Sequence, residues 1–221
     1  VNECAKALIN SNTALGVVPC GSGNGFAFHL GMSKTIKNAV QQLKVCSIQS
    51  IDSCSANNIP FVNVSGIGFD AHIANLFVNL KERGFLNYLR LIFNELSYKP
   101  KTYTLTYSGN SRTVKAYLIA FANASQYGND AQISPLAQVN DGLIDFVIVK
   151  DFPKWKIPFF LYKVAKGKTH KSKFIDIIQA AKMQIEADTR LVHLDGEPKL
   201  LESPIEIKIH PKTLKIFTPH G

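Results

Sequence analysis

Residues 101–123 read KTYTLTYSGNSRTVKAYLIAFAN. Two runs rich in Thr, Tyr, Val and Ile alternate polar with apolar side chains on either side of Gly109-Asn110, a combination that predicts a β-hairpin. The same device comes earlier, where SIQSIDSCSA (47–56) and IPFVNVSG (59–66) flank Asn57-Asn58. Further strands are predicted at LIDFVIVK (143–150), MQIEA (183–187), LVHLDG (191–196), PIEIKIH (204–210) and LKIFTP (214–219). So many short strands separated by Asn/Gly turns point to an antiparallel sandwich. Between the two hairpins, residues 71–97 show helical spacing broken at Gly84, predicting two helices. No internal repeat or low-complexity segment is present.

The texture before residue 47 is different. Residues 2–9 and 34–45 carry apolar residues at helical spacing, and ALGVVP (14–19) reads as a short buried strand. The order helix, strand, glycine loop, helix is that of an α/β unit. The expected fold class is therefore α/β plus mainly β, a part-domain of α/β type followed by a larger antiparallel β-sandwich. The chain opens at VNECAKAL without a methionine, which is read as loss of an N-terminal segment.

Bulk properties narrow the classes. With 221 residues, 46% hydrophobic and 19% charged, the chain can bury a sizeable core. A net charge of +9 and a pI near 9.4 favour anionic partners, whether nucleic acid, an acidic membrane or a phosphorylated small molecule. Cys4, Cys20, Cys46 and Cys54 form no CxxC pair and no metal spacing, so reduced thiols in a cytoplasmic setting are expected. No apolar run approaches the roughly 20 residues of a spanning helix. The six histidines form no HExxH, and there is no GxSxG elbow.

Four stretches could carry chemistry. GVVPCGSGNGFAFHLG (16–31) is a glycine loop whose backbone N–H groups suit phosphate, or simply a tight turn; it matches neither the Walker nor the dinucleotide pattern. In NVSGIGFDA (63–71), Asp70 is placed to cap the following helix. In AQISPLAQVNDGLIDFVIV (131–149), Asn140-Asp141-Gly142 is a turn signal, and its carboxylate could equally hold a hard divalent cation. In VHLDGEPKLL (192–201), Asp195 and Glu197 crowd one hairpin corner, as solvated charge or as a tuned general base. Carboxylates with glycine loops suit phosphoryl transfer, in which the protein mainly positions groups and offsets charge.

In this order, the four stretches and the opening VNECAKAL resemble the diacylglycerol kinase catalytic-domain family, which includes bacterial lipid kinases and the sphingosine and ceramide kinases. VNECAKAL is similar to the segment directly after that family's Gly-Gly-Asp-Gly-Thr nucleotide loop, PCGSGNGFAFHLG to its second loop, NVSGIGFDA to its central one, and VNDGLIDF and HLDGEP to its late ones. The resemblance implies an α/β nucleotide-binding domain, of which residues 1–46 are the C-terminal half, a β-sandwich lipid-substrate domain, 47–205, and a segment 206–221 returning to the first domain. It implies ATP-dependent phosphorylation of a diacylglycerol-like or sphingoid lipid, with Mg2+. Asn2, Gly21, Ser22, Gly23 and Asn24 would contact ATP; Asp141, with main-chain oxygens of Gln138 and Leu143, would hold the metal; Glu197 would take the hydroxyl proton beside Asp195. The nucleotide loop is absent from this chain, which is therefore expected to be inactive alone. Asn24-Gly25 replaces the usual bacterial Asn-Asp, and PCGSGN is similar to the sphingosine kinase version. An inactive lipid-binding or regulatory relative and an NAD kinase-like enzyme are the alternatives.

Residues 153–174, PKWKIPFFLYKVAKGKTHKSKF, set seven lysines among Trp155, Phe159, Phe160, Leu161 and Tyr162. This suits an interfacial helix on an anionic bilayer, or an amphipathic helix packed on the sandwich. The expected partners are a lipid substrate and, peripherally, an anionic membrane; no nucleic-acid recognition element accompanies the lysines, and a homodimer is left open.

Overall fold

The structure, a computed structural model, describes residues 1–80 and 84–219. Three short helices open the chain: α1 (Asn2–Leu8), α2 (Gly25–His29) and α3 (Ile36–Leu43). There follow β1 (Ser47–Ala56), β2 (Ile59–Phe61), β3 (Val64–Gly68), α4 (Phe69–Val78), α5 (Phe85–Asn94), β4 (Lys101–Tyr107), β5 (Asn110–Ala122) and β6 (Ile144–Lys150). The last elements are α6 (Ile157–Ala165), β7 (Ile175–Ala180), β8 (Lys182–Ala187), β9 (Leu191–Leu194), β10 (Glu197–Leu200) and β11 (Ile205–Thr218).

The strands form one sheet in the order β10-β9-β3-β5-β4-β8-β11-β1-β2, with β6 joined to β5 and β7 off that path, and every ladder is antiparallel. The sheet curls so that Cys54, Ile67, Tyr103, Phe121, Phe146, Ile185, Val192 and Ile207 from eight of its strands meet in one core. This is the expected sandwich. Each fully buried Phe or Ile there contributes about 1.5–3 kcal/mol of transfer free energy. The two ends of the strand order, β2 and β10, carry Pro60 and Pro198, which cannot donate to a further strand and so blunt the edges.

Three hairpin corners have both central residues at positive φ, as a two-residue turn matched to strand twist requires: Asn57-Asn58 (45° and 66°), Ser108-Gly109 (48° and 77°) and Asp195-Gly196 (51° and 92°). The middle corner lies one residue before the predicted Gly109-Asn110. Tyr107 pairs with Asn110, so Tyr103 sits opposite Val114.

A second core joins Ala5, Val17, Phe26, Leu30 and Ala39 of the first 46 residues to Ile51 of β1 and Leu214 and Ile216 of β11. The predicted strand 14–19 does not form. Only Leu15 pairs, in a parallel bridge to Ile216 in which its N–H donates to Lys215 O at 2.9 Å and its carbonyl accepts the Phe217 N–H at 3.0 Å. The segments 204–210 and 214–219 are one strand, β11, interrupted opposite Asp52, where the register with β1 shifts and Lys212 turns to φ 56°. Strands β7 and β10 were not anticipated.

The outer face of β5 and β6 carries a third cluster, in which Leu118, Ala120, Val147, Val149 and Phe152 pack against Phe69, Ile157 and Phe160. Helices α4 and α6 thereby cover the sheet's second side.

Candidate functional site

Asn24 adopts φ 57°, its Oδ1 accepts the Gly21 N–H at 2.8 Å, and its Nδ2 donates to the Gly21 carbonyl at 2.8 Å. The loop is thus closed on itself at both ends, leaving Ser22 and Gly23 at its tip. That tip is clasped by the segment after β5: Asn129 N–H donates to Gly23 O at 2.9 Å and Asn129 Nδ2 to Ser22 O at 2.9 Å. Ser22 and Gly23 form one wall of a cavity of about 260 Å³, whose other walls include Asn63, Asp70, Tyr88, Tyr127, Asn129, His193, Asp195 and Gly196.

Asp195 is the carboxylate of the opposite wall. Its Oδ2 accepts Asn2 Nδ2 at 2.6 Å and the Val62 N–H at 3.0 Å, and Oδ1 accepts the Asn63 N–H at 2.8 Å. Burial pushes its pKa above the ordinary range, against the pull of those three donors. The hydrogen bonds tie helix α1 and the β2–β3 break to the β9–β10 corner. Asn2 itself is 8% exposed, and its Oδ1 has no hydrogen-bond partner among the described residues. Glu197, the first residue of β10, lines neither cavity; its carboxylate is half-buried with Lys199 Nζ 3.8 Å away.

Asp70 does not cap α4. Its N-cap is Gly68, with no side-chain hydrogen bond, and the carboxylate points inward, where Oδ2 accepts from Tyr127 Oη at 3.0 Å and from His193 Nε2 at 3.2 Å. The tautomer of His193 follows from its other nitrogen. Nδ1 accepts the Gly196 N–H at 3.2 Å, so Nε2 carries the proton that it gives Asp70. A second cavity of about 520 Å³ begins here, lined chiefly by apolar side chains of α4, α5, α6 and the segment before α6, among them Phe69, Ile73, Leu89, Ile92, Phe152, Ile157 and Phe160. Asp70, Tyr88, Tyr127, Asn129 and Ala131 belong to the walls of both cavities.

Asp141 lies apart from both cavities. It is exposed, and its Oδ1 accepts the Leu143 N–H at 3.0 Å, closing the Asn-Asp-Gly turn. Asp52, buried in the β1 bulge, accepts the Gly142 N–H through Oδ2 and the Lys212 N–H through Oδ1, both at 2.8 Å. Partial shielding of the carboxylate from water, offset in part by the Leu143 N–H and reinforced by the charges of Asp145 and Asp52, raises the Asp141 pKa. Among the described residues no hydrogen bond outside the sheet reaches the carbonyls of Gln138 or Leu143. Oxygen donors with surplus negative charge fit a hard cation, although no cluster of three or more His, Cys, Asp or Glu side chains able to hold a metal occurs among the described residues.

Asp52, His193 and the inward role of Asp70 were not foreseen from sequence. The signal available for Asp70 was Gly66, whose missing Cβ would fall 2.2 Å from Asp70 Oδ2.

Known proteins resemble this chain along its whole length. Residues 63–218 match the YegS C-terminal NAD kinase beta sandwich-like domain, and residues 1–56 match the diacylglycerol kinase catalytic domain. A probable lipid kinase YegS-like of Chromohalobacter salexigens is 27% identical over 229 residues, spanning 100% of this chain and 73% of that protein. A diacylglycerol kinase of Mycobacterium tuberculosis is 24% identical over 231 residues, spanning 100% and 74% respectively. The crystal structure of a putative diacylglycerol kinase from Bacillus anthracis superposes with a TM-score of 0.80 over 98% of this chain and 74% of the other, at 24% identity.

Proposed function

This chain belongs to the family of YegS-like lipid kinases and diacylglycerol kinases, and on that premise we propose that it transfers the γ-phosphate of ATP to a hydroxyl of a diacylglycerol-like or sphingoid lipid. The observation that carries the reading is the shared wall between an apolar cavity of about 520 Å³ and a polar one of about 260 Å³. Hydrocarbon occupies the first at no cost in unpaired polar groups. The glycine loop faces the second, so a lipid whose head reaches the junction presents its hydroxyl toward phosphate.

The backbone of Gly21, Ser22, Gly23 and Asn24, clamped by Asn129, holds the phosphates without reorganising. Asn2 acts through Asp195, fixing it by the 2.6 Å hydrogen bond. Both Asp195 oxygens are engaged, so it is a positioning residue, while Glu197, next to the wall residue Gly196, accepts the proton. As the lipid oxygen bonds to the γ-phosphorus, the bond from that phosphorus to the β-phosphate oxygen breaks, ADP leaves, and the hydroxyl proton passes to Glu197. Asp141 with the carbonyls of Gln138 and Leu143 would hold Mg2+; the ion supplies charge that offsets the carboxylates around that turn.

We further propose peripheral docking on an anionic membrane. Trp155, Phe159 and Tyr162 are 68%, 65% and 57% exposed on and just before α6, whereas Ile157 and Phe160 pack inward. Lys156 Nζ lies 4.9 Å from the Trp155 ring centroid, so cationic and aromatic groups share one face. No helix of the described residues is long and apolar enough to cross a membrane.

The test is label transfer from γ-labelled ATP by the full-length gene product to a panel of diacylglycerol, phosphatidylglycerol, sphingosine, ceramide and NAD. Phosphorylation of at least one lipid is expected. Transfer to NAD alone, or to nothing, overturns the reading. Glu197→Gln is expected to lower kcat by about two to four orders of magnitude, as loss of a general base does, with the melting temperature unchanged. Near-normal kcat would remove Glu197 from the role.

A further inference from the structure

The NVSGIGFDA stretch delivers a carboxylate that neither the helix nor the phosphate loop requires. Asp70 is 5% exposed, and space has been cleared for it, since a Cβ on Gly66 would lie 2.2 Å from its Oδ2. Among the described residues its hydrogen-bond donors are all neutral: the Ala71 N–H at 2.8 Å, the Tyr127 hydroxyl and the Nε2–H of a His193 whose Nδ1 is occupied as an acceptor. No lysine or arginine pairs with it among the described residues. A carboxylate accepts about four hydrogen bonds, so one acceptor direction is left. A buried carboxylate with only neutral partners among the described residues carries a desolvation cost that those partners offset only in part.

The same junction is bordered by Tyr88, which lines both cavities and whose hydroxyl makes no hydrogen bond among the described residues. Burial first, and then the charge of Asp70, hold its phenol protonated, so it remains a donor. An acceptor and a donor therefore both border the two cavities, with hydrocarbon-compatible walls on one side and the glycine loop on the other.

We propose that Asp70 and Tyr88 seat the hydroxyl-bearing head of the acceptor lipid at the junction of the two cavities, Asp70 accepting its hydrogen bond and Tyr88 donating one. The proposal rests on the lipid-kinase reading for the identity of the ligand. It requires a head that both donates and accepts, which a neutral glycerolipid and a long-chain amino alcohol each supply.

The experiment is equilibrium competition against a fluorescent acyl probe that lacks a hydroxyl, on the full-length protein without ATP. Dioctanoylglycerol, its O-methyl ether and sphingosine are the competitors. With the wild-type protein the methyl ether is expected to compete roughly tenfold more weakly than its parent, and in Asp70→Asn and Tyr88→Phe that preference is expected to shrink toward unity. An equal loss for both hydroxyl lipids in Asp70→Asn identifies the hydroxyl as the shared contact, and a larger loss for sphingosine identifies its ammonium group. The proposal is overturned if folded Asp70→Asn and Tyr88→Phe bind the hydroxyl lipids unchanged, or if the wild-type protein does not distinguish the ether. Tyr88→Phe keeps the ring, so the test survives misfolding of Asp70→Asn. Hydroxyl-dependent binding without phosphate transfer would retire the kinase reading and leave this one standing; transfer insensitive to Asp70 and Tyr88 would do the reverse.

Discussion

Gly25 shows how closely one position can be constrained. A Cβ built on it would lie 2.6 Å from Gln126 O and from Tyr127 C and O, all backbone atoms that cannot swing aside. The glycine that replaces the family's usual Asp is therefore demanded by the close approach of the loop to the segment after β5. Gly25→Ala is expected to cost about 1–3 kcal/mol of stability, as overpacking does, and to lower the melting temperature. Gly84→Ala, with nothing among the described residues within 4 Å of its would-be Cβ, should leave the melt unchanged; equal melts for the two variants would refute the steric account. His29 makes a pH-dependent counterpart. Its Nδ1 accepts the Ser125 N–H at 3.1 Å, and burial lowers its pKa to about 4. Between the unfolded value near 6.5 and about 4 the unfolded chain binds the extra proton, so this contribution is full above pH 6.5 and lost as pH falls. The melting temperature should drop over that window, and the drop should flatten in His29→Asn, whose amide oxygen keeps the acceptor; an identical pH profile would exclude His29. Glycines and corner carboxylates were legible because their signals are local, and the role of Asp70 was not, because its partners Tyr127 and His193 lie 57 and 123 positions away.

Among the elements, those with strong short-range signals matched the sequence. The two Asn/Gly hairpins and the helix break at Gly84 depend on turn chemistry within a few residues. Strand β10, EPKL, has almost no strand character of its own and exists because the Asp195-Gly196 corner folds it onto β9. The converse failure is 14–19, whose residues are strand-like but find a partner at Leu15 alone. Tertiary pairing overrode propensity in both cases. Helix α6 shows a pattern that neither sequence nor packing resolves alone, since its inward side completes the third cluster while Trp155, Phe159 and Tyr162 remain in solvent. If that face meets a bilayer, the full-length protein should co-sediment with vesicles containing acidic lipid and not with neutral ones, and raising salt should weaken the binding. Replacing Lys154, Lys156 and Lys163 by Gln, or Trp155 by Ala, should reduce the bound fraction severalfold. Equal binding to neutral and acidic vesicles would eliminate electrostatic docking.

For the molecule as a whole, the paired strands β1 and β11 are the common member of two cores. Ile51, Leu214 and Ile216 pack with the N-terminal helices, while Cys54, Ala56, Ile205 and Ile207 pack inside the sandwich. The texture change at residue 47 was legible as composition; that one ribbon would run through both cores was not, because it depends on pairing between residues about 160 positions apart. Asp52 sits at the middle of this ribbon, in its bulge, and through the Gly142 N–H it links the ribbon to the turn that bears Asp141. A cation bound at Asp141 would therefore brace the ribbon against β6, and its effect should be read in global stability as well as in turnover. At one hundred times its Kd a ligand confined to the folded state adds about 2.7 kcal/mol. For a chain of 221 residues that corresponds to a rise of roughly 5–10 °C in melting temperature. Because the Asp141 pKa is raised, protons compete with the metal over a higher pH range than for an ordinary carboxylate, and the Mg2+-induced rise should fade on acidification. Asp141→Asn removes the charge while leaving a side-chain oxygen able to accept the Leu143 N–H. It should abolish the Mg2+ response with little change in the metal-free melt, and a Mg2+ titration identical to that of the wild-type protein would reduce the Asn-Asp-Gly stretch to a turn.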